Sequence, residues 1–91
     1  MAPLPLARIQ ARMQELMGWS FEMNALVKEF QFPDFGSAIG FVNHVAEIAN
    51  RLQHHPTILI AYTLVRITVT THDEHGLTDK DFELAKGIDT R

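Results

Sequence analysis

His54-His55-Pro56-Thr57-Ile58-Leu59-Ile60-Ala61-Tyr62-Thr63-Leu64-Val65-Arg66-Ile67-Thr68-Val69-Thr70-Thr71-His72 is the stretch on which the reading of this 91-residue chain turns. Its opening stops a helix, because a residue that precedes proline is pushed out of the α region. The residues beyond Pro56 are rich in β-branched side chains and predict two strands, over about 57–63 and 65–72. In the second, Val65, Ile67, Val69 and Thr71 take one face, and Arg66, Thr68, Thr70 and His72 take the other, more polar one. In the first, Ile58, Leu59, Ile60 and Ala61 are apolar on both sides. In so small a domain, that run predicts an oligomer that covers the second face or the edge.

Upstream, Phe35, Ala38, Ile39, Val42, Val45, Ala49 and Leu52 form one helical stripe, so a helix is expected over about 35–53. Pro33-Asp34 stops the preceding strand and offers Asp34 as its N-cap. Gly36 and Gly40 lower helix propensity by up to ~1 kcal/mol each, and small residues there would let the helix lie close to a sheet. Before it, Trp19, Phe21 and Met23 alternate, as do Leu26, Lys28, Phe30 and Phe32, with Asn24 between the two runs. This reads as a β-hairpin. Leu6, Ile9, Met13 and Leu16 predict a first helix over about 5–15. Downstream, Thr78 followed three residues later by Asp81 resembles a capping box and starts a helix over about 78–88. The order αββαββα predicts an α+β fold: a four-stranded antiparallel sheet with helices on one face, in one domain over 1–91.

Composition narrows the function. The chain is 46% hydrophobic and 21% charged, as in an ordinary globular protein. A net charge of −3 argues against direct nucleic-acid binding. With no cysteine, a disulfide framework, a Cys-based zinc site and a thiol nucleophile are all excluded. No apolar run approaches the length of a membrane span, and Arg8 and Arg12 interrupt any signal-like stretch, so a cytoplasmic protein is expected.

The histidines carry the chemistry. An unperturbed imidazole titrates near pH 6.5, so both protonation states are accessible near neutrality, as general acid–base catalysis requires. Residue type alone leaves other readings open. A histidine near a helix C-terminus is favoured by the helix dipole, and three histidines can bind zinc, although adjacent His-His is poor ligand geometry. His44 reads as a helix-surface residue and His75 as a loop residue. Trp19 is a core aromatic or a stacking platform. Arg66 beside Thr68 meets a ligand edge or stands solvated. Asp81 supports an imidazole or stabilises its helix, and Tyr62 reads as packing.

Spacing adds specificity. Five residues separate Pro56 from Tyr62, nine more lead to His72 and eight more to Asp81. Gly18-Trp19, Phe30-Gln31-Phe32-Pro33-Asp34-Phe35, Ala38, Phe41, Val45, Ala46, Thr71-His72, Gly76-Leu77-Thr78 and Leu84-Ala85 fall in step with these. The set, over roughly 17–89, resembles the pterin-4a-carbinolamine dehydratases, also known as the dimerisation cofactor of a homeodomain transcription factor. The resemblance implies dehydration of a 4a-hydroxytetrahydropterin to quinonoid dihydropterin and water, in the recycling of the pterin used by aromatic amino acid hydroxylases. It implies no metal and no cofactor, and a homodimer or homotetramer. His55 and His72 would be the acid–base pair and His54 would hold the departing hydroxyl or assist transfer. Asn50, Pro56, Arg66, Thr68 and Asp81 would contact the substrate.

The chain departs from the family pattern at three places. Asn50 stands where an ionisable residue is usual, Ile58 where tryptophan is frequent, and Gln53 where aspartate is common. All the histidines of the pattern are present, so activity is expected. The competing expectation is a non-enzymatic protein-binding member of the fold, a transcriptional coactivator or an enzyme-assembly factor.

Overall fold

The structure is a computed structural model that describes residues 2–90; residues 1 and 91 of the expected domain lie outside the described residues. Helix α1 spans Leu6–Met13, strands β1 and β2 Ser20–Glu22 and Ala25–Gln31, and helix α2 Phe35–Leu52. Strands β3 and β4 come next, at Thr57–Ala61 and Leu64–Val69, then a 3-10 turn at His72–Glu74 and helix α3 at Asp79–Asp89. The sheet is antiparallel throughout, in the order β1-β2-β4-β3, so β3 is an edge strand. The expected α+β order αββαββα holds.

Turn chemistry sets the hairpins. Met23 and Asn24 both have positive φ, 49° and 61°, which is the two-residue loop that matches the twist of paired strands. Met23 therefore belongs to the turn, fully exposed, and not to the alternating strand its sequence suggested. Tyr62 likewise takes a φ of 56° in the turn between β3 and β4.

The core lies between the sheet and the helices. Leu26, Val65, Ile67 and Val69 from the sheet meet Ala38, Phe41, Val45, Ile48 and Ala49 of α2 and Phe82, Leu84, Ala85 and Ile88 of α3. Each large side chain buried there contributes about 1.5–3 kcal/mol. The buried stripe of α2 is rotated from the expected one. Phe41 and Ile48 face the core, while Phe35 is 49% exposed and stacks on Tyr62 with ring centroids 6.3 Å apart. The close approach expected between Gly36 or Gly40 and the sheet is not found; the glycine that allows close packing is Gly87, between two helices. A Cβ on Gly40 would meet nothing within 4 Å, whereas one on Gly87 would lie 3.0 Å from Ile48 Cγ2, where α3 crosses α2.

Asp34 caps α2 as expected, its Oδ1 accepting from the Ser37 amide at 2.7 Å. That backbone hydrogen bond holds the Asp34 carboxyl below the usual carboxylate range. Trp19 is a core aromatic: it is buried, edge-on to Phe30, and its Nε1 donates to Asp89 Oδ2 at 2.8 Å. Lys28 Nζ joins the same carboxylate at 2.9 Å, so the end of α3 is tied to the first hairpin. Among the described residues no helix is long and apolar enough to cross a membrane.

Candidate active site

The site is built where α2 ends. Gln53 adopts a left-handed conformation (φ 53°), its amide donates to Asn50 O, and the His54 amide donates to Ala49 O. These two reverse bonds close the helix. The end therefore comes three residues before Pro56, through a strained non-glycine residue. The turn sends the His54 and His55 side chains in different directions.

His54 points inward. Its Nε2 lies 2.6 Å from Oδ1 of Asp81, a carboxylate with no exposure to solvent. The other carboxylate oxygen accepts from Thr71 Oγ1 at 2.7 Å and from the Thr78 amide at 2.8 Å. Thr71 Oγ1 and Thr78 Oγ1 are themselves 2.9 Å apart. A buried carboxylate needs such partners to offset its lost hydration. A carboxylate oxygen accepts, so the contact suits the His54 tautomer with its hydrogen on Nε2, and Nδ1 is the nitrogen that Asp81 leaves unengaged.

His55 is exposed, and its Nε2 sits 3.0 Å from Asn50 Oδ1. An amide oxygen as acceptor again leaves the proton on Nε2. His72 is not the last residue of a strand, as alternation suggested. β4 ends at Val69, which pairs with Leu26, and β2 begins only one residue before that. With no partner strand left, Thr71 turns toward Asp81, and residues 72–74 form a single tight turn closed by the Thr71–Gly76 bridge. His72 opens this turn and is exposed.

His54, His55 and His72 line one cleft of about 300 Å³, together with Thr70, Asp73 and Lys80. Of the other expected contact residues, Asp81 lies wholly behind His54 and Asn50 reaches the cleft through His55. Pro56 and Thr68 are half-buried and do not line it. Arg66 is directed elsewhere, toward Glu22 Oε1 at 3.7 Å. It belongs to a larger concavity of about 400 Å³ bounded by Ser20, Glu22, Lys28 and Glu29. That one holds no imidazole, so the smaller, histidine-lined cleft is the candidate site. Among the described residues no group of three or more His, Cys, Asp or Glu side chains is placed to hold a metal ion. Sequence reasoning missed Asp73 and Lys80. The only local signal was that Lys80 adjoins Asp81 and Asp73 adjoins His72.

A four-stranded antiparallel sheet backed by helices, with three imidazoles around a polar cleft where α2 gives way to the sheet, defines a class of small α+β proteins. The family model for pterin 4 alpha carbinolamine dehydratase matches residues 2–91. A protein of Metallosphaera sedula is 44% identical over 98% of this chain and 93% of its own length. One from Chloroflexus aggregans is 48% identical over 98% and 96%. Both carry the name pterin-4-alpha-carbinolamine dehydratase provisionally. The crystal structure of a transcriptional coactivator/pterin dehydratase from Brucella melitensis superposes with a TM-score of 0.91 at 32% identity, covering 96% of this chain and 95% of that one. A pterin dehydratase-like protein identified as a RuBisCO assembly factor in the alpha-carboxysome shares the fold, with a TM-score of 0.64 at 22% identity over 78% of this chain and 82% of that one. The chain belongs to the pterin-4a-carbinolamine dehydratase family.

Proposed function

We propose that this protein dehydrates 4a-hydroxytetrahydropterins to quinonoid dihydropterins. The observation that carries the reading is the convergence of His54, His55 and His72 on one cleft, with His54 locked onto buried Asp81. The reaction breaks the C4a–O bond and the N5–H bond and forms the C4a=N5 double bond. One group must deliver a proton to the departing hydroxyl, which leaves as water, and another must accept the proton from N5. Both exposed imidazoles, His55 and His72, line the cleft and are suited to these steps. His54, nearly buried and fixed in orientation, holds the hydroxyl. Asp81 acts through His54, and Asn50 acts through His55; both are positioning residues in this reading. The chemistry asks for no metal, so a chelator should leave turnover unchanged. In the cell the reaction would return pterin to an aromatic amino acid hydroxylase in the cytoplasm. Turnover of a carbinolamine generated in situ, against the spontaneous rate, tests the proposal.

Exposed apolar side chains on both faces of the edge strand β3, Leu59 on one and Ile60 on the other, with the Phe35–Tyr62 ring pair, support self-association as a dimer or tetramer through that strand. The same exposed apolar side chains favour a second reading, a protein-binding role of the kind named for the Brucella protein. A chain that binds a partner but shows no turnover would make that the function.

A further inference from the structure

Lys80 stands out among the charges of the cleft. It is flanked in sequence by two aspartates, yet both are engaged elsewhere: Asp79 with Arg12, and Asp81 with His54, Thr71 and the Thr78 amide. Among the described residues no carboxylate lies within ion-pair distance of its ammonium, although five other Lys and Arg–carboxylate contacts are made. Its place in the first turn of α3 also runs against the helix dipole, which disfavours a cation there. Neither local pairing nor helix stability accounts for a lysine at this position. The cleft does, because Lys80 lines it beside the three histidines. The other charged lining group, Asp73, is an acceptor only. It suits the amino and ring N–H donors of a pterin and leaves the ammonium for a different part of the ligand.

Resting on the dehydratase reading above, we propose that Lys80 sets substrate preference: the cleft favours reduced pterins whose C6 side chain ends in an anion. A phosphate monoester and a carboxylate share that chemistry. An ammonium on a flexible stem at an exposed rim adds binding energy for the tail without touching the reacting C4a and N5. At such a site one ion pair corresponds to a preference of roughly two- to fivefold.

The test is calorimetric titration of the native protein with three stable ligands: 7,8-dihydro-6-hydroxymethylpterin, its phosphate monoester, and 7,8-dihydropterin-6-carboxylate. The expected result is a Kd for one or both anions about two- to fivefold lower than for the neutral alcohol, a ratio that shrinks as salt is added. Which anion gains identifies phosphate or carboxylate as the tail. In Lys80→Gln the ratio should fall to about one, and in Lys80→Glu it should invert, each variant being its own reference through the neutral ligand. Equal affinities in the native protein, or a preference retained in Lys80→Gln, would overturn the proposal and leave the dehydratase reading standing. Failure of every dihydropterin to bind would sink both.

Discussion

His54 Nε2 and Asp81 Oδ1 are 2.6 Å apart although they lie 27 positions apart in the sequence, and the contact joins the end of α2 to the first turn of α3. The same carboxylate takes the Thr71 hydroxyl and the Thr78 amide, so one buried group serves as helix cap, loop anchor and imidazole support. Removing it should therefore damage fold and site together. Asp81→Ala is expected to cost about 1–3 kcal/mol through the donors left unpaired. In a domain of this size each kcal/mol lowers Tm by roughly 4–8 °C. Thermal unfolding measures this, and turnover at a temperature where the variant is folded should still fall. An unchanged Tm would mean that the network does not stabilise the chain.

Asp34 predicts a pH dependence of stability. Its carboxyl is held below the usual range by the Ser37 amide. A carboxylate whose native pKa is depressed contributes stability above its unfolded value and loses it as the pH falls through the native one. Asp34→Ala should lower Tm at neutral pH, and the gap to wild type should narrow below about pH 4, as the wild-type carboxylate is protonated. A gap that stays constant from about pH 7 down to about pH 2.5 would contradict the assignment.

Two glycines should respond in opposite ways. Gly87→Val places new atoms against Ile48 and is expected to destabilise by roughly 1–3 kcal/mol. Gly40→Ala meets open space in a helix interior and should stabilise by up to ~1 kcal/mol. Denaturant titration of both variants settles the pair.

Self-association should depend on β3. Sedimentation at micromolar concentration is expected to give a species of at least twice 10.3 kDa. Leu59→Glu, at a site 53% exposed in the single chain, should shift it toward the monomer. A wild-type protein that sediments only as a monomer defeats the prediction.

The fold was legible because its signals are local. Asp34 is a cap by its type and place, Pro56 marks a break, and the alternation of Val65, Ile67 and Val69 holds in the sheet. What escaped depends on tertiary partners. Nothing in Gln53 announces a left-handed helix end, since glycine is the usual residue there. Met23 has a strand former's neighbours but occupies a turn set by Asn24. His72 left the strand because β2 offers no partner beyond Ala25. The helical stripe of α2 was misplaced since Phe35 prefers Tyr62 across the surface to the core. The three histidines of the site were visible in the spacing, whereas Lys80 and Asp73 enter the cleft only through the turn at residues 72–74 and the first turn of α3.

The most direct test of the central claim is steady-state dehydration of a 4a-hydroxytetrahydropterin generated in situ, for wild type, His55→Ala, His72→Ala, His54→Ala and His75→Ala. Wild type should exceed the spontaneous rate. His55→Ala and His72→Ala should each lower kcat by roughly 10²–10⁴-fold, and the double variant should cost less than the two effects combined. His54→Ala should act mainly on KM, and His75→Ala, outside the cleft, should be nearly silent. A wild-type rate no faster than the spontaneous one, or full activity in both His55→Ala and His72→Ala, would contradict the account.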